Sequence, residues 1–278
     1  MIKNTLTTLL IWLSAALVSG VFVWLLYDII IHGMPKLSWS FLTEAPKNAG
    51  RSGGIGPIIV STVLILAVAI VTAAPVSLAT AVLLSEFTRQ DSLLGRLVRR
   101  SLDVLAGVPS IVFGLFGNAF FCIYLGLGFS IVSGGLTLAC MVLPILIRTF
   151  EEGLQAAPND YRLAAAALGM THSATLVHLL LPSAAPALVA GLMLGLGRAI
   201  AETAALIFTS GYVDRTPDSL FDSGRALSVH IYDLSMNVAG GDTNAYSTAL
   251  VLIILLLIIN SIAMSLAKMW LHRSVVTL

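Results

Sequence analysis

Charge is what this sequence has least of. Asp, Glu, Lys and Arg together make up 10% of its 278 residues, where a soluble domain carries about a quarter. The net charge of +1 leaves no case for a basic surface that binds nucleic acid. Cysteine is nearly missing as well. Cys122 and Cys140 are the two present, each inside an apolar stretch, and they read as small buried hydrophobes rather than a disulfide. No Cys/His pattern has metal-ligand spacing, so no metal site is expected. No G-x-x-x-x-G-K-[ST] phosphate loop occurs, so the chain carries no ATPase of that kind. The apolar runs hold no buried His, and Asp28 and Asp103 fall near opposite ends of the runs. That removes an intramembrane protease, which needs a Ser–His pair or two facing Asp.

What the chain has is long apolar runs. It is 58% hydrophobic with a mean hydropathy of +0.97. About 20 apolar residues cross a bilayer as a helix. Residues 4–27 and 52–85 are free of charge and cross once each. Residues 104–147 are long enough to cross twice, with YLGLGFSIVSGG (124–135) as the turn. The run after Leu181, up to about Phe208, crosses once, and residues 243–267 cross once. The expected fold is all-α: a polytopic bundle of six transmembrane helices, since backbone groups in lipid need partners within their own segment. A β-barrel would show short alternating strands instead. The first run exceeds the usual signal-peptide core and is read as an uncleaved helix.

Basic residues orient the bundle. With the N-terminus inside, the inner side holds Lys3, Arg89, Arg96, Arg99, Arg100, Arg148, Arg162, Lys268 and Arg273. The outer side holds Lys36, Lys47, Arg51, Arg215 and Arg225. The bias predicts a multi-pass protein of the inner (cytoplasmic) membrane with both termini cytoplasmic. Residues 1–54 then form a first helix and outer loop, 55–270 a core, and 271–278 a cytoplasmic tail. Two polar outer loops, 32–54 and 209–246, are long enough to dock a partner or simply to connect.

The inner segment 151–182 is unusual. YRLAAAALG is strongly helix-forming, Asn159 or Asp160 is placed to cap its start, and Gly169 to end it. A second short helix near 172–180 is expected to run to Pro182. An apolar, Gly-broken helix pair outside the spans needs a partner surface, and docking into a groove of a second protein is its natural use. A hairpin resting on lipid headgroups is the other possibility.

This segment resembles the cytoplasmic loop of binding-protein-dependent ABC importer permeases, whose pattern is E-A-A, three residues, G, nine residues, I, one residue, L-P. Ala164, Ala165, Gly169 and Leu181–Pro182 match it, Leu179 stands at the Ile position, and Leu163 stands where the family has Glu. If that Glu orients the coupling helix, Arg162 or Asp160 must do so here. LAGVPSIVFGLFG (105–117), LPILIRTFEEGL (143–154), GRAIAETAAL (197–206) and LSVHIYDL (227–234) resemble phosphate-importer permeases, more the PstA type than the PstC type. The resemblance implies a subunit without enzymatic activity of its own. It implies ATP and Mg bound in a dimeric, PstB-like ATPase, a second, PstC-like permease subunit, and a periplasmic or lipid-anchored phosphate-binding protein. Sulfate or molybdate as cargo, or an ATP-independent secondary transporter, stay open.

Arg198 and Glu202 lie four positions apart in an apolar run, which on a helix places them on one face, one turn apart. A charge at mid-bilayer costs about 2.5–3.5 kcal/mol. Arg198 is the candidate to meet an inorganic phosphate in the pathway, because a guanidinium fork matches phosphate oxygens. Glu202 is expected to pair with Arg198 when no anion is bound. A structural ion pair between helices is the plainer alternative. Arg148, after LPILI, is a further candidate for the pathway or a snorkelling anchor.

Overall fold

The computed structural model of the chain describes residues 2–89 and 92–276, with side chains over 7–89 and 92–265. In chain order α1 covers Ile2–Gly33, α2 Trp39–Thr43, α3 Gly56–Val82, α4 Leu93–Ala106, α5 Ser110–Gly117 and α6 Ile131–Gln155. Then come α7 Asn159–Ala167, α8 His172–Thr175, α9 Leu181–Ile200, α10 Ala204–Ile207, α11 Leu227–Met236 and α12 Asp242–Val276. Five helical stretches are long and apolar enough to cross a membrane: Thr7–Lys36, Gly56–Phe87, Ile131–Gln155, His172–Ile200 and Asp242–Ser265.

The sixth expected crossing differs from a straight span. α4 and the helical stretch Ser110–Tyr124 meet at 102°. The span expected to open at 104 therefore opens at Ser110, after a corner over Gly107–Pro109. Pro109 makes the corner: it is extended (φ −60°, ψ 141°) at the position before α5, and it disfavours helical backbone in Val108. At 1.5 Å per residue, Ser110–Tyr124 is only about 22 Å long. The turn expected over 124–135 is there, with α6 resuming at Ile131.

α3, α6 and α9 form the centre of the bundle. Leu138, Val142, Leu146 and Phe150 of α6 are buried between Ile65, Leu66 and Ala69 of α3 and Ala184 and Ala199 of α9. Small residues let the backbones approach. A Cβ on Gly135 would lie 2.5 Å from Val68, and one on Gly153 would lie 2.4 Å from Ala187. Such contacts replace the hydrophobic drive that lipid removes. α12 packs on α1, α9 and α11.

The two outer segments close over one end together. Pro46–Lys47 and Ser52–Gly53 form an antiparallel hairpin. Its Gly50 sits at φ +84°, where a Cβ would come within 2.9 Å of the His230 ring. Asn244 donates to the Gly50 carbonyl and accepts from Lys36 at 2.9 Å. The segment 209–246 is more than a connector. Thr209, Ser210 and Leu227–His230 are buried, and the amides of Ile131 and Val132 donate to the carbonyls of Asp222 and Leu220. Those bonds satisfy orphan donors at the start of α6.

Candidate functional site

The coupling segment is gripped from inside the chain. Arg162 makes a two-pronged ion pair with Glu86, Nη2 to Oε1 at 2.7 Å and Nε to Oε2 at 3.2 Å. Its remaining N–H groups donate to the carbonyls of Leu154 and Ala157, both at 3.1 Å. The Glu86 side chain is 3% exposed, at the end of the π turn Leu83–Phe87 that continues α3. Arg162 thus faces inward, while Leu163, Ala164 and Leu168 face outward and Ala165 is buried. α7 is fastened by a guanidinium, and its outward surface sets Leu163, Ala164 and Leu168 beside exposed Asn159, Asp160 and Tyr161.

Its capping differs from expectation. Pro158 occupies the cap position with no side-chain bond, and Asn159 is the first helical residue. Asn159 instead accepts from Arg162 at 3.4 Å. Gly169 ends α7 in the left-handed region (φ +70°), as its lack of Cβ permits. The second helix does not stop at Pro182. His172–Thr175 passes through a π turn, Leu176–Leu180, into α9 without a break. Leu181 and Pro182 form the first turn of α9, where the missing proline N–H costs least. The π turn shifts the ladder locally. The coupling pair is therefore a short helix and the start of a long one.

Beside it lies a second group of charges. Arg99 donates to Glu151 Oε1 from Nε at 2.9 Å and from Nη2 at 2.7 Å, and to the Leu84 carbonyl at 3.2 Å. Arg148 is paired with Asp103. Asp103 lies in the last turn of α4, where Arg148 offsets its charge. Arg96, Arg99, Arg100, Arg148, Glu151 and Glu152 line a cleft of about 480 Å³.

Arg198 and Glu202 stand at mid-bundle. Gly191 of α9 lies against Phe150 and Gly195 against Leu146, so the two helices run antiparallel. Arg198, three residues further, comes level with Leu143, the midpoint of α6. The expected shared helix face is absent, because α9 ends at Ile200 and α10 begins at Ala204. The break is held by tertiary contact: Ser228 donates its hydroxyl to the Glu202 carbonyl at 2.6 Å. The buried Glu202 carboxylate turns to α10 and accepts from the Ala205 amide at 3.4 Å. Among the described residues no ion pair joins it to Arg198, whose side chain takes part in no hydrogen bond or ion pair. Arg198 ends an exposed strip of α9 comprising Ser183, Pro186, Ala190 and Leu194. Arg148 is about 7 Å nearer the coupling end. It points to α4, away from the Leu146, Phe150 and Gly153 edge that meets α9. The fold thus keeps the three pathway candidates apart.

Sequence reasoning missed Glu86, Glu151, Ser228 and His230. Glu86 had a signal: a single carboxylate closing a long apolar run. At the outer end Arg225 donates to Asp233 and His230, both at 3.2 Å, and to the Tyr212 carbonyl at 2.8 Å. Burial, then the Arg225 charge, lowers the His230 pKa from 6.5 to about 4, with Asp233 opposing.

Residues 73–275 match the family described as binding-protein-dependent transport system inner membrane component. The probable ABC transporter permease protein YqgI of Bacillus subtilis is 30% identical, over 97% of this chain and 95% of the relative. The phosphate transport system permease protein PstA 1 of Mycobacterium tuberculosis is 32% identical, over 93% of this chain and 86% of the relative. Among solved structures, an inward-facing MetNI methionine ABC transporter chain superposes with a TM-score of 0.61, covering 77% of this chain and 96% of the other at 19% identity. That last likeness concerns the fold alone.

Proposed function

Starting from the fact that the chain belongs to the binding-protein-dependent transport system inner membrane components, the permeases of ABC transporters, we propose that it is a PstA-type permease subunit moving inorganic phosphate inward. The observation that carries the reading is Arg198: a guanidinium level with the middle of α6, on a face that nothing in the described chain covers. Facing lipid, such a charge would cost about 2.5–3.5 kcal/mol. Facing a passage shared with a second permease subunit, it meets a phosphate with paired, charge-assisted hydrogen bonds. Relatives that are named phosphate transport permeases support this cargo over sulfate or molybdate.

Glu202 does not neutralise Arg198 in this reading. It holds the break that ends α9, as a positioning residue, and leaves the guanidinium free for the anion. The outward surface of Leu163, Ala164 and Leu168 docks a PstB-like ATPase that binds ATP and Mg. Arg162 passes the motion of that surface to α3 through Glu86. The outer hairpin and α11 receive a phosphate-binding protein. Both termini lie in the cytoplasm; the side chains of Lys3, Lys268 and Arg273, and residues 277–278 of the expected tail, fall outside the described residues.

Labelled phosphate uptake by the reconstituted complex tests the reading. Arg198→Gln is expected to lower uptake about 10- to 100-fold, the worth of a charge-assisted hydrogen bond, while ATPase association persists. Undiminished uptake, or sulfate and molybdate carried as well as phosphate, counts against it.

A further inference from the structure

α4 divides lengthwise into three strips. Leu102 is buried against Leu84 and Ile147, with Gly95 on the same side. Leu93, Leu97 and Val104, spaced i, i+4 and i+11, are 78%, 65% and 72% exposed. Arg96 and Arg100, one turn apart, are exposed and take part in no ion pair among the described residues. Asp103 shares their strip, but Arg148 offsets its charge.

The attitude of the helix gives these strips a meaning. α4 stands at 102° to Ser110–Tyr124, so where that stretch runs along the membrane normal, α4 lies in the membrane plane. A helix in that plane, with exposed leucines beside arginines, sinks its apolar strip to the acyl boundary and keeps its guanidiniums among the headgroups. We propose that α4 is a docking surface for anionic phospholipid in the leaflet at the coupling end of the bundle. Charge selects the occupant. A neutral lipid covers Leu93, Leu97 and Val104 but leaves Arg96 and Arg100 without a counter-charge; an anionic headgroup serves both strips. The adjoining cleft of about 480 Å³ sets four arginines against Glu151 and Glu152, and Glu151 is already held by Arg99.

The bound lipid acts on the machinery nearby. Arg99 ties α4 to Glu151 of α6 and to the Leu84 carbonyl, two residues before the Glu86 that grips the coupling segment. Fixing α4 in the leaflet steadies the ends of α3 and α6 against which that segment moves. The inference goes beyond the transport reading and rests on the membrane placement of the chain, whatever the cargo.

The test uses the full chain in phosphatidylcholine nanodiscs, with bimane on Leu97→Cys in a Cys122→Ala, Cys140→Ala background. Brominated phosphatidylglycerol and brominated phosphatidylcholine are compared as quenchers at equal mole fraction. The expected preference for the anionic lipid is about fivefold per arginine, so about 25-fold for two. Arg96→Gln/Arg100→Gln brings it close to one, and Arg215→Gln leaves it unchanged. A second reporter at Val104→Cys keeps the test open if position 97 tolerates no label. Equal quenching by both lipids overturns the proposal, as does a preference that survives the double substitution. Loss of all quenching when the ATPase is added also overturns it, because the strip then belongs to a protein. No transport is measured, so the lipid result and the phosphate result stand or fall separately.

Discussion

The two ends of the bundle are held by different chemistry. At the coupling end three Arg–carboxylate pairs, Arg162–Glu86, Arg99–Glu151 and Arg148–Asp103, join elements distant in sequence. At the outer end most of the joining is done by neutral groups. Ser247 donates to the Gly33 carbonyl, Asn244 to Gly50, and Thr62 accepts from the Leu227 amide. Neutral hydrogen bonds each add about 1 kcal/mol and tolerate burial. Charged pairs hold harder when intact and cost more when one partner is lost. The end that carries α7 is thus the end built from ion pairs. Arg198 lies between the two and belongs to neither set.

That contrast can be broken at its strongest point. Removing the Glu86 charge leaves Arg162 oriented into the protein without a counter-ion. Glu86→Gln is expected to destabilise by about 3 kcal/mol, the lower part of the range for buried pairs because Arg162 keeps some water contact. Thermal unfolding in detergent should fall by several degrees. Replacing both residues, Glu86→Met/Arg162→Met, should recover most of the stability. A double variant as weak as the single one would mean that the grip does not depend on charge.

The outer end carries a buried histidine beside its Arg225–Asp233 pair. His230 has a folded pKa of about 4 against 6.5 unfolded, so below pH 6.5 the unfolded state binds the extra proton. Stability of the cap is complete above pH 6.5 and declines as pH falls towards 4, by about 3 kcal/mol at pH 4. Hydrogen exchange in the 46–53 hairpin should accelerate over that interval, and His230→Phe should flatten the dependence. An unaltered profile in the variant would place the pH sensitivity elsewhere.

The smallest effect belongs to the pair that is most in water. Arg148 and Asp103 are 44% and 58% exposed, and exposed pairs contribute about 0–1 kcal/mol. Asp103→Asn is expected to change unfolding by less than about 1 kcal/mol. A shift as large as that of Glu86→Gln would erase the distinction drawn between the pairs.

Much of this architecture was legible in the chain. Hydropathy located five spans, and Gly169 marked the end of α7. Each depends on residues near one another in sequence. The misreadings have a common source. Ala201–Thr203 contains neither Gly nor Pro, so nothing local announced the break that separates Arg198 from Glu202; a hydroxyl from Ser228 holds it. Pro182 looked like a stop because a π turn is invisible in composition. Arg162 was a candidate for orienting α7, but its partner Glu86 lies far upstream.

By itself the sequence determined that this chain lives in a membrane and where five of its long apolar helices lie. Transfer of apolar side chains from water and the need for self-satisfied backbone act segment by segment, and no fold is required to apply them. Only the tertiary structure decided which carboxylate meets which arginine, where α9 breaks, and that α4 meets the next helical stretch at 102°. Those outcomes depend on groups brought together across the bundle, where the strength of each contact is set by the burial that the other helices impose.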